Sequence, residues 1–164
     1  MVSDNFIPLK SCWPELYQHA AFAERYVFAD PHTAAIKLRC FAEVLVGLLY
    51  RDLSLPSEPT DGFFEKLKYP AFQEVVGYIV LQKLHALRMI GNKAAHGGFI
   101  DSSVSLSLIE DAYLIGLWFY KTYSGESADS YPPFTAPVEA TELGSPAENR
   151  VEQLAMAKDE LSRL

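Results

Sequence analysis

Three polar side chains stand four residues apart near the middle of the sequence. Arg88, Asn92 and His96 precede the pair Gly97-Gly98. On an α-helix each step of four residues rises about 6 Å and turns by about 40°, so the three groups form a slow spiral on one side. Histidine exchanges protons near neutral pH, and arginine stabilises negative charge. A simpler interpretation also stands, in which Asn92 and His96 only satisfy carbonyl groups at the helix end.

A glycine inside this segment predicts a close contact with another helix. Gly91 lies three residues after Arg88. Glycine in a helix interior costs about 1 kcal/mol relative to alanine. That cost is explained if another helix packs closely at this position.

A second polar pair, Arg39 and Glu43, is four residues apart on an earlier predicted helix. An i,i+4 ion pair at the edge of the core accounts for this spacing. If the two helices face each other, the candidate binding residues Arg39, Glu43, Asn92 and His96 share one polar pocket. We take this pocket as the candidate site.

Several motifs of known chemistry are missing from the sequence. The four histidines form no HExxH pattern, and the two cysteines, Cys12 and Cys40, form no CxxC pair. We therefore expect no metal site. GxSxG, GxxxxGK[ST] and GxGxxG are also missing, which disfavours a serine hydrolase, a P-loop NTPase and a dinucleotide-binding enzyme.

The elements that position these residues are predicted to be helices throughout. A first helix begins near Trp13 with Ser11 as its N-cap, and a second runs from Asp30-Pro31 to about Leu53. Two short pieces at 63–68 and 70–76 precede a long helix from 78 to 96, and a last one covers 103–123. The alternation of apolar and polar residues that is typical of β-strands is nearly missing. The predicted fold class is therefore all-α, a bundle of four to five main helices in residues 1–124.

The last forty residues are predicted to differ from the bundle. Residues 125–145 contain three prolines and read as a flexible acidic linker. Residues 146–164 begin with capping-box spacing and continue as a helix. Either this helix docks on its own bundle, or the chain is a fragment cut inside a coiled-coil connection. We expect a chain ending at residue 124 to stay folded with little change in melting temperature.

The distribution of charge limits the kinds of partner. The net charge is -7; residues 1–124 hold 11 basic and 13 acidic side chains, and residues 125–164 hold 3 and 8. A broadly basic nucleic-acid-binding surface is excluded, although a local basic patch is not. The sequence shows no signal peptide and no apolar run of about 20 residues, which indicates a cytoplasmic protein without membrane contact.

The order of these features resembles a bacterial helical domain of unknown function. That domain often begins the restriction (R) subunits of type I restriction–modification systems and related helicases. The matching features are the Trp13-Pro14-Glu15-Leu16 opening, the Asp30-Pro31 cap, the Arg39…Glu43 helix and the Gly91-Asn92…His96 segment. Together they span residues 5–123. The resemblance implies a parent protein that uses ATP and Mg²⁺, acts on DNA and assembles with other subunits, whereas this part needs no cofactor.

The domain also resembles the wider HEPN superfamily of helical bundles, whose ribonuclease members act as dimers. In those enzymes a His assists proton transfer as the ribose 2′-hydroxyl attacks the phosphate, and an Arg shortly before it stabilises charge, without metal. His96 matches the His and Asn92 a common polar position. Gly91 stands where the Arg is usual, and Arg88 is eight residues before His96.

Three functions follow from these resemblances and residues. The first is a non-catalytic interaction or assembly domain of a restriction-subunit-like helicase, as a homodimer or with other subunits. The second is a metal-independent HEPN-type ribonuclease, with His96 and Arg88 as catalytic residues. The third is a nucleotide-sensing module that binds an anion beside Arg39, Arg88 and His96.

Overall fold

The computed structural model describes residues 5–139 and, in the C-terminal stretch, residues 155, 157–159 and 162–163. All regular structure in these residues is helical, which confirms the all-α class. The helices are α1 (Leu9–Cys12), α2 (Pro14–Tyr26), α3 (Pro31–Asp52), α4 (Phe63–Lys68), α5 (Pro70–Ala95) and α6 (Ser102–Tyr123), followed by a 3-10 turn at Ala128–Ser130.

Helix α3 is the centre of the bundle. It packs against α2, α5 and α6 and buries side chains on several faces. Leu38, Phe41, Ala42 and Leu45 have no exposed surface. Burial of this apolar area is the main term that holds the helices together.

The predicted helix starts are confirmed where a side chain caps them. Asp30 Oδ1 accepts a hydrogen bond from the Thr33 amide at 3.1 Å, and Asp101 Oδ1 accepts one from the Val104 amide at 3.0 Å. The predicted cap at Ser11 is wrong. Ser11 lies inside the short helix α1, and α2 begins after Trp13 without a side-chain cap.

Glycines interrupt or end the helices at two predicted positions. Gly77 has φ 76° and ψ 169° and divides α5 into the two pieces expected from the sequence, since only glycine adopts this conformation without strain. Gly97 has φ 80° and follows the end of α5.

The first half of the predicted linker packs against the bundle. We call residues 128–135 the strap. The Tyr113 hydroxyl donates a hydrogen bond to the Pro132 carbonyl at 2.6 Å, and Asn5 exchanges two hydrogen bonds of 2.8 Å with the Thr135 backbone. Tyr131 is only 6% exposed, against Tyr113 and Tyr120. These residues are ordered by the bundle, in contrast to the flexible segment that the sequence predicts.

The division at residue 124 stays a prediction. Residues 155, 157–159 and 162 are helical where 146–164 was expected to be helix, and they are exposed. Arg163 forms an i,i+4 ion pair with Asp159 at 3.0 Å. The predicted capping box, which joins Ser145 to Glu148, lies outside the described residues, as does the junction at 140–145.

Candidate functional site at the α3–α5 contact

The contact between α3 and α5 is closest at Gly91. A Cβ atom on Gly91 would lie 2.4 Å from Arg39 Cβ and 3.1 Å from the Ala35 carbonyl oxygen. At the other end of the same pair of helices, the rings of Tyr50 and Phe72 stack with centroids 5.5 Å apart. The two helices therefore run antiparallel, and the expected close approach at Gly91 is observed.

The four candidate binding residues lie on this pair of helices in different settings. Arg39 on α3 packs against Gly91 on α5. Asn92, the next residue on α5, is half-buried. Glu43 and His96 are exposed. Among residues 5–139 no hydrogen bond or ion pair joins the side chains of these four. The structure thus places Arg39 against Gly91 of α5, and the pocket shared by all four residues stays a prediction.

His96 lies at the C-terminal end of α5. Its backbone amide donates a hydrogen bond to the Asn92 carbonyl at 3.0 Å. Any residue at position 96 would make this backbone bond, so the simpler interpretation, in which Asn92 and His96 satisfy carbonyl groups at the helix end, stays a prediction.

Arg88 contacts two neighbours, Phe64 and His85, that its spacing in the sequence does not predict. Its Cζ atom lies 4.5 Å from the centroid of the Phe64 ring on α4, and its Nη2 lies 3.5 Å from His85 Nδ1. Lys68 Nζ lies 4.0 Å from the same Phe64 centroid. Phe64 and Lys68 are four residues apart on one helix, and that spacing in the sequence predicts a contact between them. The sequence does not predict the packing of α4 against Arg88.

Both arginines place polar atoms where water does not reach. The Nε atoms of Arg39 and Arg88 are buried and have no hydrogen-bond partner. Burial and the nearby Arg88 charge lower the pKa of His85, so the neutral ring can accept a hydrogen bond from Arg88. Neither arginine forms an ion pair with a carboxylate of the described residues.

The opposite side of α5 carries exposed apolar side chains. Tyr78, Ile79 and Met89 are 77%, 70% and 59% exposed, and they lie within one third of the helix circumference. Tyr78 and Ile79 line a shallow depression of about 330 Å³. Lys83 and Asp111 line it and form an ion pair of 3.0 Å between α5 and α6. We call Tyr78, Ile79 and Met89 the outer face of α5.

Two negative observations concern the described residues alone. They contain no group of three or more His, Cys, Asp or Glu side chains that could hold a metal ion. Each helix in them is too short or too polar to span a lipid bilayer.

Comparison with known proteins gives one informative similarity. No protein-family profile matches the chain, and no solved structure matches it. The type I restriction enzyme EcoKI endonuclease subunit of Escherichia coli (strain K12) is 28% identical over 137 residues. The aligned part is 84% of this chain and 12% of that subunit, so the chain spans about an eighth of its relative's length. The similarity supports a relationship between this chain and a restriction-enzyme subunit.

Proposed function

We propose that this chain is a non-catalytic helical module that makes contacts between subunits in an assembly of the type I restriction–modification kind. The observation that carries the proposal is the similarity to an endonuclease subunit along 84% of the chain. ATP-dependent and Mg²⁺-dependent chemistry on DNA, expected of a whole restriction subunit, would then reside outside these residues.

The packing at Gly91 supports a non-catalytic role. The ribonucleases that the chain resembles carry an arginine near this position. Here any side chain at position 91 would collide with Arg39 and lie in tight contact with the Ala35 carbonyl oxygen of α3. The close contact of the two helices occupies the space that a catalytic arginine would need.

The outer face of α5 is the surface that we assign to the subunit contact. Tyr78 and Ile79 are adjacent and more than two-thirds exposed. Aromatic and aliphatic side chains clustered on a surface are typical of protein–protein contacts. The partner that this proposal specifies is another subunit of the restriction-type assembly.

Size-exclusion chromatography with light scattering tests this contact. The chain is mixed with the modification and specificity subunits of its own restriction system, and co-elution is expected. Tyr78→Ser/Ile79→Ser should weaken the complex about tenfold or more, because it removes two apolar anchors. The matched control Leu53→Ser/Val138→Ser changes exposed apolar residues elsewhere and should co-elute normally. Equal behaviour of the two double variants would refute the assignment.

A ribonuclease assay separates this function from the alternative. Single-stranded RNA is incubated in EDTA with the wild-type chain and with His96→Ala. We expect no cleavage that depends on His96. Cleavage by the wild type that is lost in the variant would overturn the non-catalytic assignment.

A further inference from the structure

Two cations share one aromatic ring on the flank of α5 that faces α4. Lys68 Nζ and Arg88 Cζ lie 4.0 Å and 4.5 Å from the centroid of Phe64. Phe64 is 41% exposed, so the pair of cations lies near the surface. The two positive charges repel each other, and neither forms an ion pair within the described residues.

A third basic residue, Arg39, reaches α5 one helical turn from Arg88. Arg39 packs on Gly91, three residues after Arg88 along α5, which is about 4.5 Å of helix rise. In both Arg39 and Arg88 the Nε atom, where the guanidinium group joins the aliphatic stem, is buried, so the stem before it is held by packing. Their guanidinium groups are therefore positioned before any ligand arrives, which lowers the entropy cost of binding.

The acidic residues nearest in sequence do not neutralise this cluster. Glu65 on α4 accepts a hydrogen bond from the Gly62 amide at 3.0 Å and so caps its own helix. Glu43 lies one turn after Arg39 on α3, is exposed, and forms no ion pair with Arg39 or Arg88. His85 is neutral near pH 7, because burial and Arg88 lower its pKa.

We propose that Lys68 and Arg88, with Arg39 on the neighbouring turn, form a binding site for a phosphate group. Guanidinium and ammonium groups that lack carboxylate partners are the usual protein ligands of phosphate oxygens. The site goes beyond the proposed subunit contact and lies on a different side of α5 from Tyr78 and Ile79. It is a local positive patch on a bundle whose total charge is only slightly negative, since most of the net negative charge lies after residue 124.

Titration calorimetry at low salt tests the site with three probes. These are inorganic phosphate, ATP without added metal, and a short single-stranded oligodeoxynucleotide. We expect saturable binding of at least one probe. Lys68→Gln/Arg88→Gln should raise its Kd about tenfold or more, since two charged hydrogen bonds are lost. The control Lys10→Gln/Lys121→Gln removes two exposed charges elsewhere and should bind as the wild type does.

Two further variants guard against a loss of folding. Lys68→Gln alone changes an exposed side chain, should leave the melting temperature unchanged, and should still weaken binding. Glu43→Gln should tighten binding by removing a nearby negative charge. Binding of phosphate or ATP indicates a small-ligand site, and binding of the oligonucleotide alone indicates a nucleic-acid backbone. Failure of all three probes to bind, or equal Kd values in the two double variants, would overturn the proposal.

Discussion

At the scale of single residues, Gly91 controls how closely α3 and α5 approach. A methyl group there would meet Arg39 Cβ at 2.4 Å, which is shorter than a van der Waals contact allows. The sequence indicated a close neighbour from the cost of a glycine inside a helix. It could not identify Arg39 as that neighbour, because contacts between helices depend on their relative rotation and register.

Gly91→Ala should destabilise the protein by about 1–2 kcal/mol. The added methyl group overpacks a tight contact between helices, and this destabilisation exceeds the gain in helix propensity from replacing glycine with alanine. Urea denaturation measures the change. Arg39→Gly removes the opposing Cβ, so adding it to Gly91→Ala should cost less than the sum of the two single changes. Strict additivity would show that the two residues do not pack as described.

His85 and His19 should make stability depend on pH. Burial lowers the pKa of both rings below the ordinary value of 6.5, and the charges of Arg88 and Lys37 act in the same direction. The unfolded chain therefore takes up protons first, and stability should fall as the pH drops below about 6.5. Unfolding followed from pH 7.5 to pH 5 should show a smaller loss in His85→Gln. An unchanged pH profile in that variant would contradict the assignment.

At the scale of elements, local signals predicted the helices well and predicted the strap poorly. Helix starts and ends depend on local interactions, so they can be predicted from the sequence. The N-caps Asp30 and Asp101 accept hydrogen bonds from amides three residues later, and Gly77 and Gly97 adopt positive φ angles. The strap has no periodic pattern, and its order depends on Tyr131 filling a space beside Gly116 on α6. A Cβ on Gly116 would lie 2.7 Å from the Tyr131 hydroxyl.

Substitutions at Tyr131 separate the effect of its ring from that of its hydroxyl. The hydroxyl is buried without a hydrogen-bond partner, so Tyr131→Phe should leave the free energy of unfolding unchanged or raise it slightly. Tyr131→Ala removes the whole ring and should cost about 3 kcal/mol. Equal stability of the alanine variant and the wild type, measured by chemical denaturation, would show that the strap does not pack as described.

The strap also changes what we expect of a shortened chain. A chain ending at residue 139 keeps the strap and should melt like the full chain. One ending at residue 124 exposes the surface under Tyr131 and should melt at a lower temperature. The sequence alone led to the opposite expectation for residue 124, so calorimetry on the two shortened chains decides between them.

At the scale of the whole molecule, α5 presents two surfaces of different chemistry. Its outer face is apolar, with Tyr78 and Met89 exposed, and its flank toward α4 carries Arg88 beside Lys68. The spacing of polar residues in the sequence pointed to Arg88, Arg39 and Asn92. Phe64, Lys68 and the outer face could not be predicted in this way, because their roles depend on which side of α5 the other helices cover.

Hydroxyl-radical footprinting of the complex tests the proposed subunit contact most directly. Tyr78 and Met89 are well exposed in the free chain, and side chains of both types react readily with the radical. Tyr123, which is partly exposed and lies on α6, serves as the internal reference. With the modification and specificity subunits added, Tyr78 and Met89 should become protected while Tyr123 reacts at an unchanged rate. Unchanged oxidation of Tyr78 and Met89 in a complex shown to have formed would contradict the account.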